Sequence, residues 1–307
     1  MDKNDIEQLL NYISPSLRKY LKKCDYSIWE NAEEIRLSIL KPAMICYNGG
    51  FEYVSTEKGI FICSRETIEE TLMLISDNSI YAVNDRLSNG YITIKGGNRA
   101  GIVGTAVVAG NGIMAIKDIT SINIRIKRQI KGTSDKVINH IVSNHVVNNT
   151  LIISPPQCGK TTLLRDIART LGNGTDEFSP FKVSVIDERS EIASVYEGVA
   201  QNDVGLRTDV LDGCSKAIGI PYVIRSMSPE VIITDEIGTE ADIEAVNYAA
   251  RSGVKIISSA HGTDPDELAK RKNFKEIMTL FDIFIVLTNL GGTGNVKNIF
   301  RREDIAL

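Results

Sequence analysis

Apolar residues at Ile6, Leu9, Leu10, Ile13 and Leu17 recur at the spacing of one helical face, so the stretch from about Asp5 to Leu21 predicts a helix. Beyond it the period shortens. Glu34-Ile35-Arg36-Leu37-Ser38-Ile39 alternates and predicts a strand, and Tyr47-Asn48-Gly49-Gly50-Phe51 reads as a hairpin turn. Arg65 to Asp77 is amphipathic again, with Ser64 placed to cap a helix. Gly90 to Gly97 predicts a strand ending in a flexible turn. Glycines at 101, 104, 110 and 112 between apolar stretches predict two short strands joined by a tight loop. Ile122-Asn123-Ile124-Arg125-Ile126-Lys127 alternates strictly, so its basic and apolar side chains face opposite sides of a strand. This half reads as an α+β domain, residues 1–130.

The texture then changes. Asp135 to Asn148 shows a helical pattern through Val137, Ile138, Ile141, Val142 and Val146, and carries His140 and His145. Short, nearly continuous apolar runs follow at Leu151-Ile152-Ile153, Val183 to Ile186, Val231 to Thr234, Val254 to Ser258 and Phe284 to Leu287. Helical stretches separate them, the first from Thr161 to Leu171 with Gly172 as its stop. That alternation predicts an α/β domain over residues 131–307, with a mostly parallel sheet covered on both faces. There is no internal repeat.

Composition narrows the class. The 307 residues, 43% of them hydrophobic, can fill one large core or two ordinary ones. With 35 basic and 39 acidic side chains the net charge is -4, which predicts no stable nucleic-acid partner and no electrostatic membrane coat. Cys24, Cys46, Cys63, Cys158 and Cys214 form neither a disulfide framework nor a metal-ligand pair, so reduced thiols in the cytoplasm are expected. The polar N-terminus shows no secretory signal, and no apolar run reaches the roughly 18 to 20 residues that span a bilayer.

Chemistry concentrates after the strand at Leu151. Ser154-Pro155-Pro156-Gln157-Cys158-Gly159-Lys160-Thr161-Thr162 fits the phosphate-loop pattern except that Ser154 replaces the first glycine. Unpaired amides at a helix start grip phosphate oxygens, and Gly159 lets the chain pass close to them. Lys160 is placed to reach the β and γ phosphates of ATP, and Thr161 to hold Mg²⁺ through its hydroxyl. The prolines donate no N–H, so the cradle rests on residues 157 to 161.

Two later strands end in carboxylates. Asp235-Glu236 follows Val231 to Thr234: Asp235 is a candidate Mg²⁺ ligand and Glu236 a candidate base for the attacking water. Asp187-Glu188-Arg189 repeats the design, so Glu188 competes with Glu236 for that role. His261, just past the fourth run, is a candidate sensor of the terminal phosphate. Arg125, Arg128, Arg189, Arg225 and Arg251 are candidates for a cation supplied to that phosphate, often across a subunit boundary. Arg125 and Arg128 lie in a basic run with Lys117, Lys127 and Lys131.

Seven stretches together carry a resemblance over nearly the whole chain. They are Glu34 to Arg36, Gly96 to Arg99, Ser154 to Asp166, Asp187 to Ala193, Ile224 to Glu230, Thr234 to Gly238 and Ala260 to Gly262. On these the chain resembles the stage III sporulation protein AA family, ATPases related to those of type II and type IV secretion. The resemblance implies a RecA-like P-loop NTPase core behind a smaller α+β N-terminal domain, and a homo-hexameric ring. It implies an ATP-hydrolysing motor that energises a secretion-like channel between mother cell and forespore, peripheral to the engulfing membranes and partnered by membrane proteins of the sporulation channel. On it Asp187-Glu188 matches an Asp box, Asp235-Glu236 a Walker B region and His261 a His box. Arg225 matches an arginine ahead of Walker B, and Arg125 and Arg128 match arginines that reach a neighbour's nucleotide. Gln157 stands where the family loop carries glycine, and Gly253-Val254 where secretion enzymes carry Gly-His. From the residues alone, a nucleic-acid-stimulated translocase and a non-catalytic scaffold locked by nucleotide stay open as rivals.

Overall fold

The structure, a computed structural model, describes residues 3–47, 49–76, 91–109, 112–271, 274–290 and 294–305. Asn48, Asp77, Gly90 and Gly110, which figure in the sequence expectations, lie outside the described residues. The chain divides into two compact units, Met1–Arg128 and Gln129–Leu307.

In the first unit the 5–21 pattern is two helices, α1 (Lys3–Leu10) and α2 (Pro15–Leu21), because Pro15 can start a helix but not continue one. Ile6, Leu9, Leu10, Ile13, Leu17 and Leu21 are all buried. After α3 (Tyr26–Asn31) come β1 (Ala32–Ser38), β2 (Met44–Tyr47) and β3 (Gly50–Tyr53). Ser64 caps α4 (Arg65–Ile75) by accepting from the Thr67 amide. Then β4 (Tyr91–Thr93), β5 (Arg99–Ala109) and β6 (Gly112–Arg125) complete a six-stranded antiparallel sheet in the order β3-β2-β1-β6-β5-β4. The two short strands expected around the glycines are therefore one long hairpin. Gly104 does not end a strand; it marks a register shift in this hairpin, where a Cβ would lie 2.4 Å from the Lys117 carbonyl.

The second unit is built on β7 (Thr150–Ser154), α5 (Lys160–Asn173), β8 (Val183–Asp187), β9 (Thr208–Asp212), α6 (Lys216–Met227), β10 (Val231–Glu236), α7 (Glu240–Arg251), β11 (Lys255–His261), α8 (Pro265–Ala269), α9 (Phe274–Met278), β12 (Ile283–Thr288) and β13 (Asn295–Arg301). The sheet order is β9-β8-β10-β11-β7-β12-β13, parallel throughout except for the antiparallel edge strand β13. Successive side chains take opposite faces: Ile152 packs with Leu163 and Ile167 of α5, whereas Leu151 and Ile153 pack with Ile220 of α6 and Val246 of α7.

Two helical expectations fail here. The 135–148 pattern resolves into a single turn at Ile138–Ile141 followed by a tight hairpin pairing Val142-Ser143 with Val146-Val147. Asn144 and His145 both take positive φ in that hairpin, and β-branched Val142, Val146 and Val147 suit it better than a helix. Nor does Gly172 stop α5, which runs on to Asn173 and ends at Gly174. Gly172 serves close packing, since a Cβ there would meet the Thr208 hydroxyl at 2.4 Å.

Candidate functional site

Strand β7 is buried from end to end, and the chain leaves it at Ser154 through a loop that turns straight into α5. Gln157 (φ +61°) and Gly159 (φ +90°) adopt the left-handed conformation that closes the loop. Gly159 is the N-cap and no side chain caps the helix, so the first-turn N–H groups of α5 are not satisfied by a side-chain cap. Lys160 Nζ folds back over the loop and donates to the carbonyls of Ser154 (3.1 Å) and Pro155 (3.4 Å). It also lies 3.9 Å from Glu236. Cys158 is buried, with its carbonyl accepting from the Gly294 amide at 2.9 Å. The Ser154 hydroxyl is buried and donates to Pro155 O at 2.7 Å. That hydrogen bond commits the hydroxyl proton to the loop's own backbone.

The carboxylates at the ends of β8 and β10 gather beside this loop because those strands are parallel neighbours, in register from Val183/Val231 to Ile186/Thr234. A register shift between β10 and β11, from Ile233 to Glu236, sets Glu236 opposite Ser259. The Ser258 hydroxyl donates to Asp235 O at 2.6 Å and fixes the strand end. Lys160, Thr161, Glu188, Arg189, Asp235 and Glu236 line one cavity of about 380 Å³ with Ser215, Lys216, Thr239 and Asp242.

Asp187 and Glu188 are neighbours with opposite fates. Asp187 is fully buried and accepts from the amides of Glu191 and Ala193, both at 2.8 Å. Burial pushes its carboxyl up, against those N–H groups, which pull it down. It anchors the loop 188–193. Arg165 of α5 holds the same loop by donating to Ile192 O (2.7 Å) and Glu191 O (2.6 Å). The phosphate-loop helix and the Glu188 loop are thus tied together.

Sequence reasoning missed Lys216. This first residue of α6 is only 3% exposed, and its ammonium donates to Glu188 (2.6 Å) and to Asp235 (2.7 Å). Burial works against its charge. Its hydrogen bonds to Asp235 and Glu188, and the charges of Asp235 and Asp242, outweigh that and hold its pKa above the ordinary lysine value. The sequence signal was a lysine heading a stretch, Ala217 to Ile224, that carries no other charge.

The remaining candidates lie outside the cavity. His261 pairs in register with Ser154 at the adjacent strand end and is exposed, but it is not among the cavity's lining residues. Its carbonyl accepts from Arg271 at 2.9 Å. Arg225 is exposed in the last turn of α6, nine residues from Lys216 or about 13 Å along the axis, with Nε on Pro221 O at 3.1 Å. Arg125 and Arg128 belong to the first unit, where Arg125 pairs with Glu34 (3.3 Å) and Arg128 donates to the carbonyls of Glu30 (2.6 Å) and Ala32 (3.1 Å). Arg251 is exposed in the last turn of α7.

The donor set suits Mg²⁺ with a nucleotide. Among the described residues no group of three or more His, Cys, Asp and Glu side chains could hold a metal unaided. Mg²⁺ commonly takes one or two carboxylate or hydroxyl oxygens and completes its shell with phosphate and water, which is what Thr161 and Asp235 at one cavity offer.

Among solved structures, the ATPase DotB of Yersinia pseudotuberculosis matches with a TM-score of 0.59 at 14% identity, covering 94% of this chain and 80% of that one. The pilus retraction motor PilT, solved with bound ADP, matches with a TM-score of 0.57 at 14% identity, covering 89% and 79%. The second unit thus has a RecA-like P-loop core. The stage III sporulation protein AA of Bacillus subtilis (strain 168) is 37% identical over 300 residues, which cover 97% of this chain and 96% of that protein. The family model described as sporulation stage III, protein AA matches residues 2–307. The chain belongs to the sporulation stage III, protein AA family.

Proposed function

We propose that the chain is an Mg²⁺-dependent ATPase, the motor subunit of a secretion-like assembly in endospore formation. One observation carries the reading: a helix N-terminus without a side-chain cap, with Lys160 beside it, opens on the same cavity as the carboxylate-bearing ends of β8 and β10. The amides of residues 157 to 161 bind the phosphates, and Lys160 leaves the Ser154 carbonyl for the β and γ oxygens. Thr161 and Asp235 hold the Mg²⁺, which supplies neutralisation of charge on the transferred phosphoryl group. Glu236 orients and deprotonates the attacking water. It is half exposed and lies near the Lys160 ammonium, whereas Glu188 is already committed to Lys216.

Of the arginines considered, Arg189 alone lines the cavity, so a further cation for the terminal phosphate is supplied by it or by a neighbouring copy in a ring. Arg225 on its exposed helix end is suited to the second role. Among the described residues no helix is long and apolar enough to cross a membrane, so attachment to the mother-cell side of the engulfing membranes runs through membrane-protein partners. Turnover of ATP by the full chain with Mg²⁺ tests the reading. Glu236→Gln is expected to keep nucleotide binding and lose about 10²- to 10⁴-fold in turnover. Wild-type turnover in that variant would remove Glu236 from the chemistry.

A further inference from the structure

Lys216 stands at the wrong end of its helix. A lysine in the first turn opposes the positive pole of the helix dipole, and the cap residue Ser215 makes no side-chain hydrogen bond that would compensate. Its stem and ammonium are nevertheless buried: the side chain is 4% exposed, against 40% for Glu188 and 18% for Asp235. A buried ion pair kept only for stability is readily replaced by apolar packing. Here the ammonium sits where carboxylates from two adjacent strands converge, one oxygen from each within 2.7 Å of a single nitrogen. Two oxygens converging on one cationic centre is the arrangement a divalent ion also seeks.

We propose that Lys216 is a positioning residue that acts as the site's internal counter-ion: it holds Glu188 and Asp235 together and must yield Asp235 before a divalent cation can bind there. The inference rests on the ATPase reading for its purpose, because it makes metal entry depend on nucleotide. The free cation meets carboxylates already compensated by an ammonium. A cation arriving with a triphosphate brings its own anionic ligands and displaces the lysine from Asp235. Lys216 then keeps Glu188, which leaves Glu236, whose nearest cation is Lys160 at 3.9 Å, as the strand-end carboxylate not held by Lys216.

The test is Mn²⁺ binding to the nucleotide-free full-length chain, read from the electron paramagnetic resonance of unbound Mn²⁺. Lys216→Met and Lys216→Gln are expected to bind one Mn²⁺ about tenfold or more tightly than wild type, because a positive charge in contact with the ligand has gone. Lys216→Arg keeps the charge and is expected to stay at the wild-type affinity. Adding Asp235→Asn to Lys216→Met is expected to abolish the gain. Equal Mn²⁺ affinity in wild type and in folded Lys216→Met and Lys216→Gln would overturn the proposal. So would a gain that survives Asp235→Asn, or a failure of both neutral variants to fold, which would make Lys216 structural. Binding of a fluorescent ATP analogue with Mg²⁺ is read in parallel on wild type. Its absence would overturn the ATPase reading and leave the Mn²⁺ comparison interpretable.

Discussion

Gln157 shows how one residue carries both a legible and an illegible property. The sequence identified the loop because Gly159, Lys160 and Thr161 follow a buried strand and precede a helix. It could not give the backbone angle of Gln157, whose φ of +61° places a branched-free but Cβ-bearing residue in the left-handed region. Such a conformation costs about 1–2 kcal/mol, partly offset by the extra chain entropy a glycine loses on folding. Gln157→Gly is therefore expected to stabilise the protein by about 1 kcal/mol in urea unfolding. A destabilised variant would mean that the Gln157 side chain makes a contact worth more than the strain. Lys216 is the opposite case. Its partners Glu188 and Asp235 lie 28 and 19 residues away, and only the parallel pairing of β8 and β10 brings them to one lysine.

At the scale of elements, buried strands were the most legible feature. The runs at 151–153, 183–186, 231–234 and 284–287 are all strands, because an apolar run of that length with β-branched residues packs well between two helical layers. β9 and β13 were not foreseen, since each lies at a sheet edge, is half exposed and lacks a continuous apolar pattern. The segment 134–148 misled for a related reason: valines spaced like a helical face serve instead a turn and a hairpin.

Besides the apolar packing of Val137, Ile138 and Ile141 with the α5 leucines, a polar cluster fastens that segment to α5. Asp166 is 1% exposed and accepts from the amide and hydroxyl of Ser134, both at 2.8 Å, and from Arg169 at 2.8 Å. Burial pushes its carboxyl up, but the bonds from Arg169 and Ser134 outweigh this and leave it below the ordinary value. Its contribution is therefore full above the unfolded value, near pH 4, and is lost as the pH falls through the lower folded value. Asp166→Ala is expected to cost about 2–4 kcal/mol at pH 7, with the difference from wild type shrinking below about pH 4. A pH-independent difference would show that the carboxylate's charge is not what holds the segment.

For the whole molecule, the patterning leads to the expectation of an α+β unit followed by an α/β unit; the chain divides into compact units at Arg128, the first holding an antiparallel sheet and the second a mostly parallel one. Strand order was beyond reach, because the placement of β7 between β11 and β12 depends on crossovers that no local pattern encodes. That order is what makes the site: it sets the phosphate loop at the end of a central strand, with the carboxylate strands on one side of it. The central claim is that the amides at the head of α5, with Lys160, grip a triphosphate. Titration calorimetry of Mg²⁺ and ATP into the full-length chain tests it most directly. Saturable binding by wild type that weakens about a hundredfold in Lys160→Ala is the expected result. Equal affinity in the two proteins, with both folded, would contradict it.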